Sequence, residues 1–255
     1  MLLAIDVGNT NIVIALFKEN GDIHAQWRIA THRHQTADEF MLTLEALFRL
    51  RGIAHGSITG AIAACVVPML THTVREAVKQ LCNVTCRMVG EEGLRIDMPV
   101  DLHVPQELGA DRLVNAYAAR ETYGPNLIVL DLGTATTFDV VDLRGHYVGG
   151  IIAPGPNISL KALYDAAAKL PSVAFAKPRE GVIGKDTVGA MQSGIYYGYA
   201  CMIGGLIEKL KRQMGEPTIL ATGGLAPLIM DEVKAIQHHV PDLTMQGLWM
   251  IDKAA

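Results

Sequence analysis

A chain of 255 residues that is 50% hydrophobic and 19% charged has enough apolar material for one large core or two ordinary ones, which excludes a disordered protein. A formal net charge of -4, with no dense Lys or Arg run, gives no electrostatic reason to expect nucleic acid, so small molecules are the expected partners. Cys65, Cys82, Cys86 and Cys201 form no CxxC pair, and Cys65 and Cys201 lie in apolar runs; they read as buried thiols of a reducing compartment, neither disulfides nor zinc ligands.

The first apolar run breaks at Asp6 and shows neither a basic leader nor a cleavage site, so it reads as a strand, and the expected location is cytoplasmic. Strands are predicted over Leu2 to Asp6, Ile12 to Phe17 and Ile23 to Ile29, a meander turning at glycines. "TADEF" then supplies a capping box, Thr36 with Glu39, ahead of Phe40, Leu44, Leu47 and Phe48 at helical spacing. "GAIAACVV" is a short buried strand stopped by Pro68, with a helix following to about Leu81. Pro105 opens and Gly124 closes a further predicted helix, irregular at Gly109, which puts Asp111 and Asn115 on one face.

A second set of strands starts at Leu127, with "GGIIAPG" read as a glycine loop after them. Helices are predicted from about Ser159 and over Gly189 to Gln213, then a strand "TILA", the loop "TGGLA" and further helices. From Thr187 to Ile207 no residue is charged, and Gly194 and Gly198 form a GxxxG, the pattern of a membrane helix. Gln192, Ser193, three tyrosines and five glycines dilute that stretch. A buried helix whose glycines admit a close neighbour, from this chain or a second subunit, is the expected state, with no membrane span.

One phrase occurs twice. "IDVGNT" begins at Ile5 and "LDLGTA" at Leu130; aligning Asp6 with Asp131 superposes Gly8 on Gly133, and each phrase runs on into a second apolar strand and a turn. Strand, polar glycine turn, strand, turn, written twice, points to an internal duplication. Such a turn exposes backbone N-H groups, with Asn or Thr as extra donors, and phosphate oxygens need that surface. An aspartate beside a phosphate repels it by about 1 to 4 kcal/mol at roughly 4 Å, so a cation has to stand between them. Two such turns facing one another would hold a nucleotide in the cleft between the halves.

Competing signatures are missing. "GVIGKDT" has a Gly-Lys pair at the wrong spacing for a Walker loop, no GxGxxG opens a helix after a strand, and no HExxH occurs. His32 with His34, and His238 with His239, read as solvated side chains.

"DVGNTN", "GADRLVNA" from Gly109, "DLGTATTFDVV" from Asp131, "GGIIAPG" from Gly149, "GKDT" from Gly184 and "TGGLA" from Thr222 follow one another in an order that closely resembles the bacterial type III pantothenate kinases, of the acetate and sugar kinase, heat-shock 70 and actin superfamily. That resemblance implies an α/β fold of two duplicated ribonuclease H-like (actin-like ATPase) domains, with mixed sheets flanked by helices and a nucleotide cleft between them. The expected boundary divides 1–115 from 116–255, with the C-terminal helix able to return to the first domain.

The implied activity is ATP-dependent phosphorylation of pantothenate to 4'-phosphopantothenate, the entry to coenzyme A, by a homodimer. The implied ATP contacts are Asp6, Val7, Gly8, Asn9, Thr10, Asn11, Ile12, Val13, Thr134, Gly223 and Gly224. Asp111 takes the role of proton acceptor, with Gly109, Ala110, Arg112 and Thr187 at the pantothenate. Asp131 matches a ligand of a monovalent cation, K⁺ or NH₄⁺, and Asp6 stands near Mg²⁺, partly through water. Two other readings stay open: a kinase of another small alcohol or acid, and a nucleotide-binding regulatory protein without catalysis, against which the retained Asp111 argues.

Overall fold

The computed structural model describes residues 1–167 and 169–255. Its described residues divide into two compact units, one of Met1–Met98, His103–Ala118 and Asp242–Ala255, the other of Pro99–Leu102 and Ala119–Pro241.

In the first unit β1 (Leu2–Val7), β2 (Asn11–Phe17) and β3 (Ile23–Ala30) form the antiparallel meander that the glycine turns announce. Helix α1 (Ala37–Leu50) follows, and its capping box is complete: Thr36 accepts from the Glu39 amide and the Glu39 carboxylate accepts from the Thr36 amide. β4 (Gly60–Cys65), α2 (Pro68–Cys82) and β5 (Cys86–Met88) complete a five-stranded sheet in the order β3-β2-β1-β4-β5, with β4 parallel to β1. Alternation along β1 sends Leu3, Ile5 and Val7 to one face, where Phe40, Leu44 and Phe48 of α1 and Leu70, Val74 and Val78 of α2 close the core.

Between β5 and the next helix the chain detours. Asp101 donates its amide to the Tyr147 carbonyl at 2.8 Å, and the Tyr147 amide donates to the Pro99 carbonyl at 2.9 Å, so residues 99–102 belong to the second unit. One 3₁₀ turn, Pro105–Glu107, precedes α3 (Ala110–Tyr123), so the predicted helix breaks at Leu108 and Gly109 and starts afresh at the residue before Asp111.

The second unit repeats the first. β6 (Leu127–Leu132), β7 (Ala135–Val141) and β8 (Tyr147–Pro154) form its meander, and β9 (Thr218–Thr222) lies parallel to β6, with β10 (His238–His239) beyond it. Sheet order is β8-β7-β6-β9-β10, the same as in the first unit once both are read from the meander edge. α4 (Pro156–Ala166) and α5 (Thr187–Met214) pack Leu160, Tyr196, Tyr199, Ile203 and Ile207 on Ile128, Leu130 and Leu132, the positions equivalent to Leu3, Ile5 and Val7. The "GGIIAPG" segment is mostly strand, not loop: pairing with β7 runs through Gly149 and Gly150 to Pro154. A short helix, α6 (Ala226–Ile229), follows β9.

The last helix, α7 (Leu243–Ala254), rejoins the first unit and covers the sheet face opposite α1 and α2, where Trp249 stacks on Phe17 with ring centroids 6.4 Å apart. A Cβ on Gly247 would lie 2.6 Å from Val114 Cγ1 and 2.7 Å from the Val114 carbonyl oxygen, so this glycine lets α7 lie directly on α3. Asn115, fully buried beneath Asp111 on α3, accepts a 2.7 Å hydrogen bond from the Thr244 hydroxyl of α7.

α5 departs from expectation in one respect. Ala190, Gly194, Gly198, Cys201 and Gly205 form an exposed stripe, and a Cβ added at Gly194, Gly198 or Gly205 would meet nothing within 4 Å among the described residues. The helix is buried on its tyrosine face and open on its glycine face, and Cys201 is exposed, not buried as its apolar run suggests. Cys65 is half-buried, and Cys82 and Cys86 are buried, with burial pushing their thiols up to about 11 and about 12. No helix of the described residues is long and apolar enough to cross a membrane.

Candidate active site

β1 ends in Asp6, which pairs with Val13 across the hairpin. Residues opposite one another in a ladder share a face, so Asp6 projects on the side of Phe17, the side covered by α7 and, across Gly247, by α3. At the turn the Gly8 amide donates to the Asn11 carbonyl at 3.0 Å. Asn9 and Thr10 are exposed at its tip. Val7 and Ile12 are wholly buried in the core, so a nucleotide can meet only their main chain.

The segment after β3 lies over this turn. Thr31 donates its amide to the Thr10 carbonyl at 2.9 Å and its hydroxyl to the Gly8 carbonyl at 2.7 Å, and Arg33 Nη2 donates to Asn9 Oδ1 at 3.2 Å. These contacts escaped the sequence reading. The one available signal was the antiparallel register itself, because Asn11 opposite Ala30 brings residue 31 onto the hairpin tip.

Asp111 is the second residue of α3 and half-buried. Desolvation raises its pKa above the usual carboxylate value, opposed by the Arg112 amide, which donates to Asp111 Oδ1 at 2.8 Å, and by the Arg112 charge. A Cβ on Gly109 would stand 2.7 Å from that same oxygen, so the glycine makes room for the carboxylate to fold back on the helix start. Gly109, Ala110, Asp111 and Arg112 thus form one local unit, a helix N-terminus with an acid turned onto it.

In the second unit Asp131 pairs with Thr137 on one side and Thr222 on the other. Three glycine segments converge here. A Cβ on Gly223, which has φ +88°, would be 2.4 Å from Asp131 Oδ1 and 2.6 Å from the Leu132 carbonyl; one on Gly155 would be 2.2 Å from the Thr134 carbonyl. Asp131, Thr134, Gly155 and Gly223 are therefore gathered by close approaches that a Cβ at Gly155 or Gly223 would block, with Gly224 next to them in open space. Tyr199 holds the arrangement from below, sharing a 2.6 Å hydrogen bond with Ser159 and donating to the Pro154 carbonyl at 2.6 Å.

The two turns are not identical. Val7 pairs with Ile12, enclosing Gly8 to Asn11, whereas Leu132 pairs with Thr136, enclosing only Gly133 to Ala135, so the second hairpin is one residue tighter.

Thr187 is the first residue of α5, exposed beside an apolar hollow of about 410 Å³ lined by Leu163, Leu170, Met191 and Ile195. The "GKDT" motif has a local structural reason: Asp186 caps the helix by accepting from the Gly189 amide at 2.7 Å, and a Cβ on Gly184 would lie 2.2 Å from the Ala190 amide nitrogen.

Among the described residues no group of three His, Cys, Asp or Glu side chains is placed to hold a metal ion by itself. The carboxylate oxygens of Asp6 and Asp131 are nonetheless the donor type that Mg²⁺ and K⁺ take, and Mg²⁺ in nucleotide sites draws most of its ligands from phosphate and water. Close approaches at Gly8, Gly155 and Gly223 keep these turns bare of side chains, with backbone at the surface. The residues fit a metal nucleotide.

A family model described as type III pantothenate kinase matches residues 2–209. The type III pantothenate kinase of Maricaulis maris is 48% identical over 259 residues, covering 100% of this chain and 99% of its own. That of Rhodospirillum rubrum is 48% identical over 255 residues, covering 99% and 98%. Among solved structures, a ROK family glucokinase from Streptomyces griseus, in complex with glucose and AMPPNP, aligns with TM-score 0.56 at 12% identity, covering 100% of this chain and 98% of its own. At that identity the likeness speaks for the fold, and it agrees with the duplicated five-stranded mixed sheets of the actin-like ATPases and sugar kinases. With six motifs in order and relatives that match from end to end, the chain belongs to the type III pantothenate kinase family.

Proposed function

We infer that the protein phosphorylates pantothenate at the expense of ATP, giving 4'-phosphopantothenate and ADP. Family membership supplies the reaction, and one observation ties it to chemistry: a carboxylate of raised pKa at the start of α3, on the same side of the first unit's sheet as Asp6. Phosphoryl transfer has a loose transition state, so the protein's work is alignment and charge neutralisation.

In this reading the Gly8–Asn11 turn binds phosphate oxygens through its backbone and the Asn9, Thr10 and Asn11 side chains. The substrate hydroxyl is oriented by Asp111; as its oxygen bonds to the γ-phosphorus and the bond to the β-phosphate oxygen breaks, the proton passes to Asp111 and ADP departs. A raised pKa suits that acceptor, because base strength rises with it. Arg112 pairs with the pantothenate carboxylate, with Gly109, Ala110 and Thr187 as further substrate contacts. Val7, Ile12 and Val13 contribute backbone to nucleotide binding, and Thr134, Gly223 and Gly224 are further proposed nucleotide contacts. Mg²⁺ near Asp6 supplies charge neutralisation at the phosphates when bound. Asp131 is assigned the monovalent cation, K⁺ or NH₄⁺.

We also assign a homodimer acting in the cytoplasm. The exposed stripe of Ala190, Gly194, Gly198, Cys201 and Gly205 supports the dimer, since small residues at helical spacing let a second helix approach closely.

Purified protein with MgATP, KCl and a panel of small alcohols, read by ADP release, tests the reading. Turnover is expected with pantothenate, and Asp111→Asn should lower the rate by about 10² to 10⁴ with nucleotide binding retained. A different preferred alcohol would replace the substrate assignment, and undiminished turnover in the variant would remove Asp111 from the chemistry.

A further inference from the structure

We propose that Arg33 is a phosphate-binding residue of this kinase, contacting the terminal phosphates of the nucleotide held at the Gly8–Asn11 turn. This rests on the nucleotide reading of that turn and adds to it a residue from a different part of the chain.

Placement is the first argument. Arg33 sits in the connection between β3 and α1, and Thr31, two residues earlier, fastens that connection to the turn through the 2.9 Å and 2.7 Å bonds to Thr10 and Gly8. On its other side the connection is closed by a turn in which the Gln35 amide donates to the His32 carbonyl at 3.0 Å, and Thr36 begins the helix cap. The arginine is therefore held between two anchored points and does not ride on a loose loop.

Polarity is the second. Carbonyl oxygens at a glycine turn repel a phosphate as strongly as amides attract it. Thr31 occupies the carbonyls of Gly8 and Thr10, so two acceptors of the turn are already engaged by donors of this chain. Arg33 reaches the tip through Asn9 Oδ1, which uses one of its five N-H groups and sets the guanidinium plane at the exposed end of the hairpin.

Charge is the third. Asp6 brings a carboxylate to the end of the same strand, so an anion arriving here meets a negative group. A fixed guanidinium, always ionised and able to grip two phosphate oxygens in parallel, offsets that repulsion with a geometry a lysine lacks. An arginine serving only as a solvated surface charge would have no need of the Thr31 fastenings or of the tip asparagine.

The test is a nucleotide series by calorimetry on wild type, Arg33→Gln and Arg33→Lys, using AMP, ADP and a non-hydrolysable ATP analogue with Mg²⁺. Arg33→Gln should weaken the ATP analogue by about 10- to 100-fold, the range for one lost charge-assisted hydrogen bond, weaken ADP less, and leave AMP unchanged. Arg33→Lys should recover part of the loss, and the KM for pantothenate should not move in either variant. An unchanged ATP analogue affinity in Arg33→Gln, or an equal loss for AMP, overturns the proposal. Thermal melts of both variants guard against a folding defect, and the lysine variant keeps the charge if glutamine disturbs the turn. A wild-type protein that binds none of the three takes down the nucleotide reading of the turn and this inference with it; normal wild-type binding with an indifferent Arg33→Gln removes the inference alone.

Discussion

At Asp111 stability and the chemistry we propose pull in opposite directions. Its folded-state pKa is raised, chiefly by desolvation, so the contribution it makes to stability is present below the pKa of the unfolded chain and is lost as pH rises through the folded value. In its ionised form the carboxylate therefore costs stability. Asp111→Asn, which keeps an oxygen acceptor for the Arg112 amide, should melt no lower than wild type at pH 7.5 despite its catalytic loss. The rate profile should fall on the acid side with an apparent pKa above the ordinary aspartate value of about 3.9. A melting point several degrees below wild type would show that the carboxylate is a structural group first. This pairing of acid and amide was not legible in the sequence: "GADR" shows the acid and the arginine, but only the position of the helix start reveals that the amide beside Asp111 donates back to it.

Among elements, the hairpins were the most legible, because alternating apolar residues around an Asp and a Gly specify strand, turn and register together. What the letters hid was the tighter second turn. "DVGNT" and "DLGTA" have equal lengths on the page, and only the ladder partners separate them. The glycine-rich segment before α4 was misread for a similar reason: glycines in isolation signal a loop, yet neighbouring β7 recruits Gly149 and Gly150 into a strand. The strap at residues 99–102 left no trace either, since its main-chain bonds join Pro99 and Asp101 to a residue far along the chain. The loop after β9 makes a direct prediction. Gly223→Ala would place a methyl group on Asp131 Oδ1 and force an unfavourable positive φ, costing about 1 to 3 kcal/mol for the strain. Denaturant unfolding should register that loss, and the K⁺ activation we propose should weaken with it. An alanine variant of full stability and normal K⁺ response would separate the glycine from the proposed ion site.

For the molecule as a whole, the duplication was readable because both halves retain the same phrase, and the structure extends it to strand order and to the core positions of the sheets. The surroundings of α5 were less readable. An uncharged stretch suggests burial, but the stripe from Ala190 to Gly205 is uncharged because it is small, and it lies open. Gly198→Leu, at the middle of that stripe, should convert the dimer we propose to monomer at micromolar concentration while leaving the far-ultraviolet circular dichroism unchanged. A dimer indifferent to leucine there would move the interface to another surface.

The return of α7 to the sheet that begins the chain has a consequence for synthesis. The ribosome completes the middle unit while Asp242–Ala255 are still unmade, so the opening strands must wait with one face of their sheet uncovered, the face that Trp249 will meet at Phe17. Maturation of the part that carries Asp6 and Asp111 is thereby deferred until α7 has been made and has settled on that face.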